Sequence, residues 1–268
     1  MPRGYQKRTR GLFDPNSKEP FRISRSKIDL FIDCPRCFYL DQRLGVKRTD
    51  FPAFTLNNAV DELLKREFDI HRAKGEPHPL MRQYKIDATP LNDLRMEEWR
   101  DALRRGVQYH HAKTNLIVRG GVDDIWVTQG GEFIVVDYKA TSKKDEVSLD
   151  GYWQQAYKRQ VEVYQWILRG MGERVSNVAY FVYVNGNSDA ASFDGKLEFS
   201  VTVLPHKGDT SWIEPTIIEI AQVLRGDAVP EPKETCEYCG YREAAGRELQ
   251  ARVGPKSKAR KSSPTLGI

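Results

Sequence analysis

The stretch from Leu116 to Lys139 constrains the fold more than any other part of the 268-residue chain. Three apolar runs, Leu116-Ile117-Val118-Arg119, Val122 to Thr128 and Phe133 to Lys139, are separated by Gly120-Gly121 and by the turn Gln129-Gly130-Gly131. Such runs punctuated by glycine predict strands, and the short turn predicts a hairpin between the last two. The simplest reading is a three-stranded antiparallel meander. Val178 to Val184 then returns to the same sheet after a helix, parallel to the strand of Asp137 by the right-handed crossover rule.

Two acids sit where that sheet turns polar. Asp123 and Asp137 lie on either side of one turn, so neighbouring strands can bring both within reach of a single cation. Lys139, two places after Asp137, projects from the same face. An isolated Asp-x-Lys is most often an ordinary strand-end ion pair, but an acid closing the apolar run Phe133 to Val136 is costly unless paired or liganded. Two carboxylates and a lysine so placed suit metal-dependent hydrolysis of a phosphodiester. Asp124 competes with Asp123 for the ligand role, and strand alternation does not separate them.

Helical spacing marks the flanking elements. A helix capped by Ser24 or Ser26 presents Ile28, Phe31 and Ile32 and runs into Cys34-Pro35-Arg36-Cys37. Ala59, Val60, Leu63, Leu64 and Phe68 form one face of an amphipathic helix from Leu56 to about Arg72. Residues 74 to 92 read as loop and Asp93 to Gly106 as a weaker helix, while Tyr152 to Arg169 is a long helix on which Gln154 and Gln155 read as solvated. Leu197 to Leu204 is a further strand and Trp212 to Leu224 a further helix, with Cys236-Glu237-Tyr238-Cys239 closing the ordered region. The class is α/β, a mixed central sheet flanked by helices. One domain over 21–253 is expected, between a basic flexible arm (1–20) and a basic disordered tail (254–268).

The formal charge of +5 suits a polyanion, but many of the positive residues lie in the two tails, so charge alone does not select nucleic acid. No apolar stretch approaches the ~20 residues of a membrane span, and a cytoplasmic protein is expected. The only cysteines, Cys34, Cys37, Cys236 and Cys239, form two Cys-x-x-Cys pairs able to supply four thiolates to one tetrahedral site. A metal there would join segments about 200 residues apart, a structural role.

The residues from 22 to about 242 resemble the PD-(D/E)xK nuclease superfamily, in particular its RecB-type branch, which includes bacterial helicase-nucleases and CRISPR adaptation-associated nucleases. Gly120-Gly121-Val122-Asp123 matches the branch's Gly-x-[Ile/Val]-Asp strand and Asp137-Tyr138-Lys139 its (Asp/Glu)-x-Lys strand; Gln160-Val161-Glu162-Val163-Tyr164 matches its Gln-x-x-x-Tyr helix. The resemblance implies a restriction-endonuclease-like core. It implies that Asp123, Asp137 and the Tyr138 carbonyl are ligands to Mg or Mn, that Lys139 is the catalytic lysine, and that Gln160 and Tyr164 orient the lysine and the DNA backbone. One departure concerns the upstream histidine ligand of the branch: Asn57-Asn58-Ala59-Val60-Asp61 stands in its place, making Asp61 the candidate replacement, against an alternative in which it only pairs with Lys65.

Cys34 lies in the branch's Cys-Pro-x-x-Phe-Tyr context, which in its iron-staple members implies a four-iron four-sulfur cluster; the usual arrangement is one cysteine plus three, whereas this chain has two plus two. The resemblance places the cluster slightly ahead of zinc, and spacing alone does not separate them. The function implied is a DNase, exonucleolytic or acting on single-stranded ends, with RNA not excluded and Lys143, Lys144, Lys158 and Arg159 as phosphate contacts. The alternative is a catalytically idle nucleic-acid-binding or scaffold subunit of a repair, recombination or adaptation complex. A helicase or adaptation partner would supply the motor, since the chain carries no Gly-x-x-x-x-Gly-Lys-Ser/Thr phosphate loop.

Overall fold

The structure is a computed structural model that describes residues 4–49 and 54–253. Sixteen elements follow one another: β1 (Phe21–Ser24), α1 (Arg25–Asp33), α2 (Pro35–Gln42), α3 (Thr55–Lys74), α4 (Pro79–Gln83), β2 (Ala88–Pro90), α5 (Arg95–Arg100), β3 (Val107–His111), β4 (Leu116–Gly120), β5 (Asp124–Thr128), β6 (Phe133–Thr141), α6 (Gln154–Gly170), β7 (Val178–Gly186), β8 (Phe199–Lys207), α7 (Ile213–Arg225) and α8 (Glu237–Val253). The tail 254–268 lies outside the described residues.

A mixed sheet of order β2-β5-β6-β7-β8 forms the centre, with β5 and β6 as the expected hairpin and β7 parallel to β6 after the α6 crossover. Strand β6 is apolar without alternation because both of its faces are covered. Phe133 and Val135 join the core under α1, α6 and α7, whereas Ile134, Val136 and Tyr138 pack with Val60, Leu64 and Phe68 of α3 on the other side.

The three-strand meander is corrected. β4 leaves the hairpin and joins a second sheet of order β1-β4-β3, parallel to β1 and antiparallel to β3. The break falls at Gly120-Gly121, where neighbouring chain approaches too closely for side chains. A Cβ on Gly120 would come 2.5 Å from the Tyr164 ring, and one on Gly121 would meet the backbone of Ala102 at 2.8 Å. Val122 then donates its backbone N–H to Trp99 rather than to a strand. Residues 74–92, expected as loop, contain α4 and β2, which edges the main sheet on β5.

Residues 4–20 contain neither helix nor strand, yet they are tied to α2 and the chain just after it: Arg8 N–H donates to the Gly45 carbonyl (2.8 Å), the Arg8 guanidinium pairs with Asp41 (3.0 Å), and Phe13 N–H donates to the Gln42 carbonyl (2.8 Å). At the other end α8 extends beyond the last cysteine pair. Arg36 of α2 reaches the Pro230 carbonyl (2.9 Å), Glu231 and Glu243 (2.8 Å each), so the first and last segments are in contact. Among the described residues no helix is long and apolar enough to cross a membrane.

Candidate active site and cysteine centre

Where β6 emerges between α3 and α6, the sheet opens into a cleft of about 300 Å³. Asn57, Asp61 and Leu64 line it from α3, Tyr138 and Lys139 from β6, and Tyr157 and Gln160 from α6, with Asp123 just ahead of β5. Five of the residues singled out from sequence, Asp61, Asp123, Tyr138, Lys139 and Gln160, therefore share one cavity wall.

The two neighbouring acids divide sharply. Asp124 is fully buried and saturated: it accepts from the Tyr138 hydroxyl (2.7 Å), from Arg100 (3.3 Å), from its own neighbour's Ile125 N–H (2.8 Å) and from the Arg72 guanidinium. Asp123 is partly open to the cleft, accepts the Tyr138 N–H (3.1 Å) and meets Lys65 Nζ at 3.3 Å. Arg100 also donates to the Asp123 carbonyl (3.0 Å), so the Asp124 network holds the backbone of Asp123 in place.

Asp137 is 1% exposed, and neither of its carboxylate oxygens receives a hydrogen bond, although Lys139 Nζ stands in ion-pair contact with one of them. Burial pushes its pKa up to about 7; the Lys139 charge opposes this, and the Asp123 charge adds to it. The Lys139 ammonium is 4.8 Å from the centroid of the Tyr157 ring, which steadies it by a cation–π contact. A buried carboxylate whose charge is met by a single lysine, beside a second acid, forms a donor set that fits a hard divalent cation.

Asp61 reaches the same cleft but is engaged by Lys65 at 2.6 Å, and Lys65 thereby bridges Asp61 and Asp123. Burial raises the Asp61 pKa, the Asp123 charge raises it further, and Lys65 opposes both. Both readings of Asp61 thus have a counterpart: it lines the cleft and it pairs with Lys65. Gln160 faces the cavity, whereas Tyr164 is buried one turn deeper against Gly120 and beside the Arg25 guanidinium. Burial pushes the Tyr164 hydroxyl up to about 12.

Four residues that sequence reasoning missed complete the arrangement: Tyr157, Arg25, Arg72 and Arg100. Lone arginines on helices resemble solvated charges, and only Tyr157, three residues before Gln160, carried a periodic signal. Of the proposed phosphate contacts, Arg159 is committed to Asp29 at 2.6 Å and Lys144 meets Asp189 at 3.3 Å on the surface. Gln154, read as solvated, is buried.

The second centre is formed by the four cysteines. Cys34 sits at the junction of α1 and α2 and Cys37 in the first turn of α2, while Cys236 and Cys239 open α8. All four thiols are buried and lie within 4.8 Å of one another, with Sγ···Sγ separations of 3.8 Å (34–239) and 3.6 Å (37–236 and 37–239). Among the described residues this is the one His/Cys/Asp/Glu group so tightly gathered. Arg48 stacks over Tyr238 (4.4 Å) and donates to Cys236 Sγ (3.5 Å). Burial works against the Cys236 thiolate, but hydrogen bonds from the Cys239 backbone and the neighbouring thiols outweigh it and bring its pKa down to about 7.

A profile of the PD-(D/E)XK nuclease superfamily matches residues 22–244. The chain belongs to that superfamily. The match covers the hairpin, the α6 crossover and both cysteine pairs, so the fold and the acid cleft share one family frame. Solved structures match as well, among them one described as "Crystal structure of SSO0001", which is 15% identical, spans 85% of this chain and 87% of its own, and superposes with a TM-score of 0.40. No curated protein sequence matches the chain.

Proposed function

We propose that this PD-(D/E)XK protein is a Mg- or Mn-dependent deoxyribonuclease acting on single strands or strand ends, with the cleft as its active site. The observation that carries the reading is Asp137: a buried carboxylate in ion-pair contact with the Lys139 ammonium and within electrostatic reach of Asp123. Asp123, Asp137 and the Tyr138 carbonyl would hold the cation, and Asp61 would join them once Lys65 withdraws. A divalent ion bound there supplies positive charge for a phosphate and makes a water molecule more acidic.

The chain's own side chains account for the rest. The Lys139 ammonium, held over Tyr157, is placed to donate to a phosphate oxygen as negative charge builds on it. Gln160 lines the approach, and Tyr164 packs α6 against Gly120 at the end of β4. The Asp124, Tyr138, Arg72 and Arg100 network rigidifies the hairpin from behind. Exposed Lys143 supports binding of the backbone, and a reducing cytoplasmic setting suits four free thiols.

For the cysteine quartet, a single tetrahedral ion is the better fit. Four sulfurs about 2.3 Å from one zinc stand about 3.8 Å apart, whereas a four-iron cluster places a separate iron at each thiolate and spreads the sulfurs wider. The 3.6–3.8 Å separations therefore reverse the order suggested by the family resemblance and put zinc ahead of iron–sulfur.

Lys65 supports a second reading, an idle nucleic-acid-binding or scaffold subunit of a repair or adaptation assembly, because its ammonium already bridges Asp61 and Asp123 as a cation would. Cleavage of labelled single-stranded DNA in Mg or Mn separates the two readings. The nuclease reading expects cleavage that Lys139→Ala lowers by about 100-fold or more. Binding without cleavage in either metal would favour the idle subunit.

A further inference from the structure

Trp153, Tyr157, Gln160 and Tyr164 succeed one another at spacings of four, three and four residues, which places them on one stripe of α6 and the turn that leads into it. Burial rises along the stripe: Trp153 is 75% exposed, Tyr157 and Gln160 line the cleft, and Tyr164 is 4% exposed. The outermost ring therefore stands one helical turn above the Tyr157 wall, at the rim.

Beside it Tyr152 is 78% exposed, and the two rings meet edge to face with centroids 5.4 Å apart at 79°. The fold gives no reason for either ring. Neither belongs to a core cluster, and Trp153 makes no side-chain capping bond to α6. Two large exposed aromatics packed edge to face, at the start of the helix that walls the cleft, form an apolar surface patch open to a ligand.

Its chemistry narrows what binds. Lys143 and Lys144 follow β6 and line a second, polar depression of about 380 Å³ with Asn185 and Asn187, but Asp189 and Glu198 share its wall, so its charge is mixed and it does not by itself select phosphates. Within the cleft the Lys139 ammonium lies 4.8 Å from the Tyr157 ring of the same stripe, and cations beside a run of aromatic rings are the arrangement that binds unpaired strands, since every base offers a π-face. Bases inside a duplex are stacked on one another and do not offer theirs.

We propose that Trp153, supported by Tyr152, stacks on unpaired bases and selects single-stranded nucleic acid for the cleft. This rests on the nuclease reading of the cleft for its meaning but not for its test. The test measures equilibrium binding of a fluorescein-labelled oligothymidine, and of a blunt duplex of equal length, to the full chain carrying Asp137→Ala so that nothing is cut.

Adding Trp153→Ala is expected to weaken oligothymidine binding by about tenfold and duplex binding by less than about twofold. Trp153→Phe should recover most of the loss, and the loss should persist in raised salt, where phosphate contacts are screened. Unchanged oligothymidine binding by Trp153→Ala, or equal losses for strand and duplex, would overturn the proposal. A wild-type protein that never cleaves yet shows this discrimination would sink the nuclease reading and leave the platform standing. A wild-type protein that cleaves while Trp153→Ala binds normally would do the opposite.

Discussion

The acid cleft and the cysteine quartet both gather side chains from distant parts of the chain, yet they are built on opposite principles. In the quartet four soft side chains converge within 4.8 Å, all buried. In the cleft acidic side chains surround about 300 Å³ of open space, and Lys65 stands between Asp61 and Asp123. A closed tetrahedral set leaves no position for a reactant and serves stability, whereas an incomplete oxygen set leaves room for a phosphate and serves chemistry. On the proposed function, the loosely gathered site is the one to which catalysis belongs.

The largest expected effect pulls the two sites apart. Asp137→Ala should reduce metal-dependent cleavage of a labelled single strand by about 1000-fold or more while leaving the quartet's metal content, read by elemental analysis, unchanged. Loss of the quartet's metal in that variant would break the comparison.

The complementary change is Cys34→Ser. It removes one of four ligands from a site that joins α1 and α2 to α8, and should lower the melting temperature by about 5–15 °C with loss of bound metal. An unshifted melting curve would show that the quartet is not a staple.

Next in size is a pH effect confined to the cleft. The folded-state pKa of Asp137 is raised above that of an unfolded aspartate, so its contribution to stability is fully present below about pH 4 and is lost as the pH rises toward about 7. In divalent-free buffer the melting temperature should therefore carry a falling component across that window, absent in Asp137→Asn. Added Mn should restore stability at the upper end. Identical profiles for the two proteins would contradict the burial assigned to this carboxylate.

The smallest expected effect sharpens the role of Asp124. Tyr138→Phe deletes the hydroxyl that donates to a fully buried carboxylate and should cost about 1–3 kcal/mol in denaturant unfolding, with the cysteine site intact.

Much of this contrast was legible from residue order alone. The β5–β6 hairpin, the parallel return of β7 and the amphipathic α3 follow from local periodicity, and Asp137 drew attention because it closes an apolar run. β1 and the transfer of β4 to a second sheet were not legible, because β1 pairs with β4 across about 95 positions of sequence, as Phe21 does with Leu116. α8 lacks an apolar face and so left no pattern.

At the site, the two carboxylates and Lys139 were visible as a motif, whereas the choice between Asp123 and Asp124 was not. It depends on where β5 begins and on which acid Arg72 and Arg100 reach, facts that arise only when α3 and α5 pack against the hairpin. The sulfur separations on which the zinc proposal rests are likewise not encoded by sequence spacing.

The most direct test of the central claim is an anomalous difference map from crystals soaked in Mn and recorded at the Mn edge. A peak bridged by the carboxylates of Asp123 and Asp137, distinct from the metal held by Cys34, Cys37, Cys236 and Cys239, is the predicted result. A map with no Mn at those two carboxylates, with Lys65 and Lys139 still seated on them, would contradict the account.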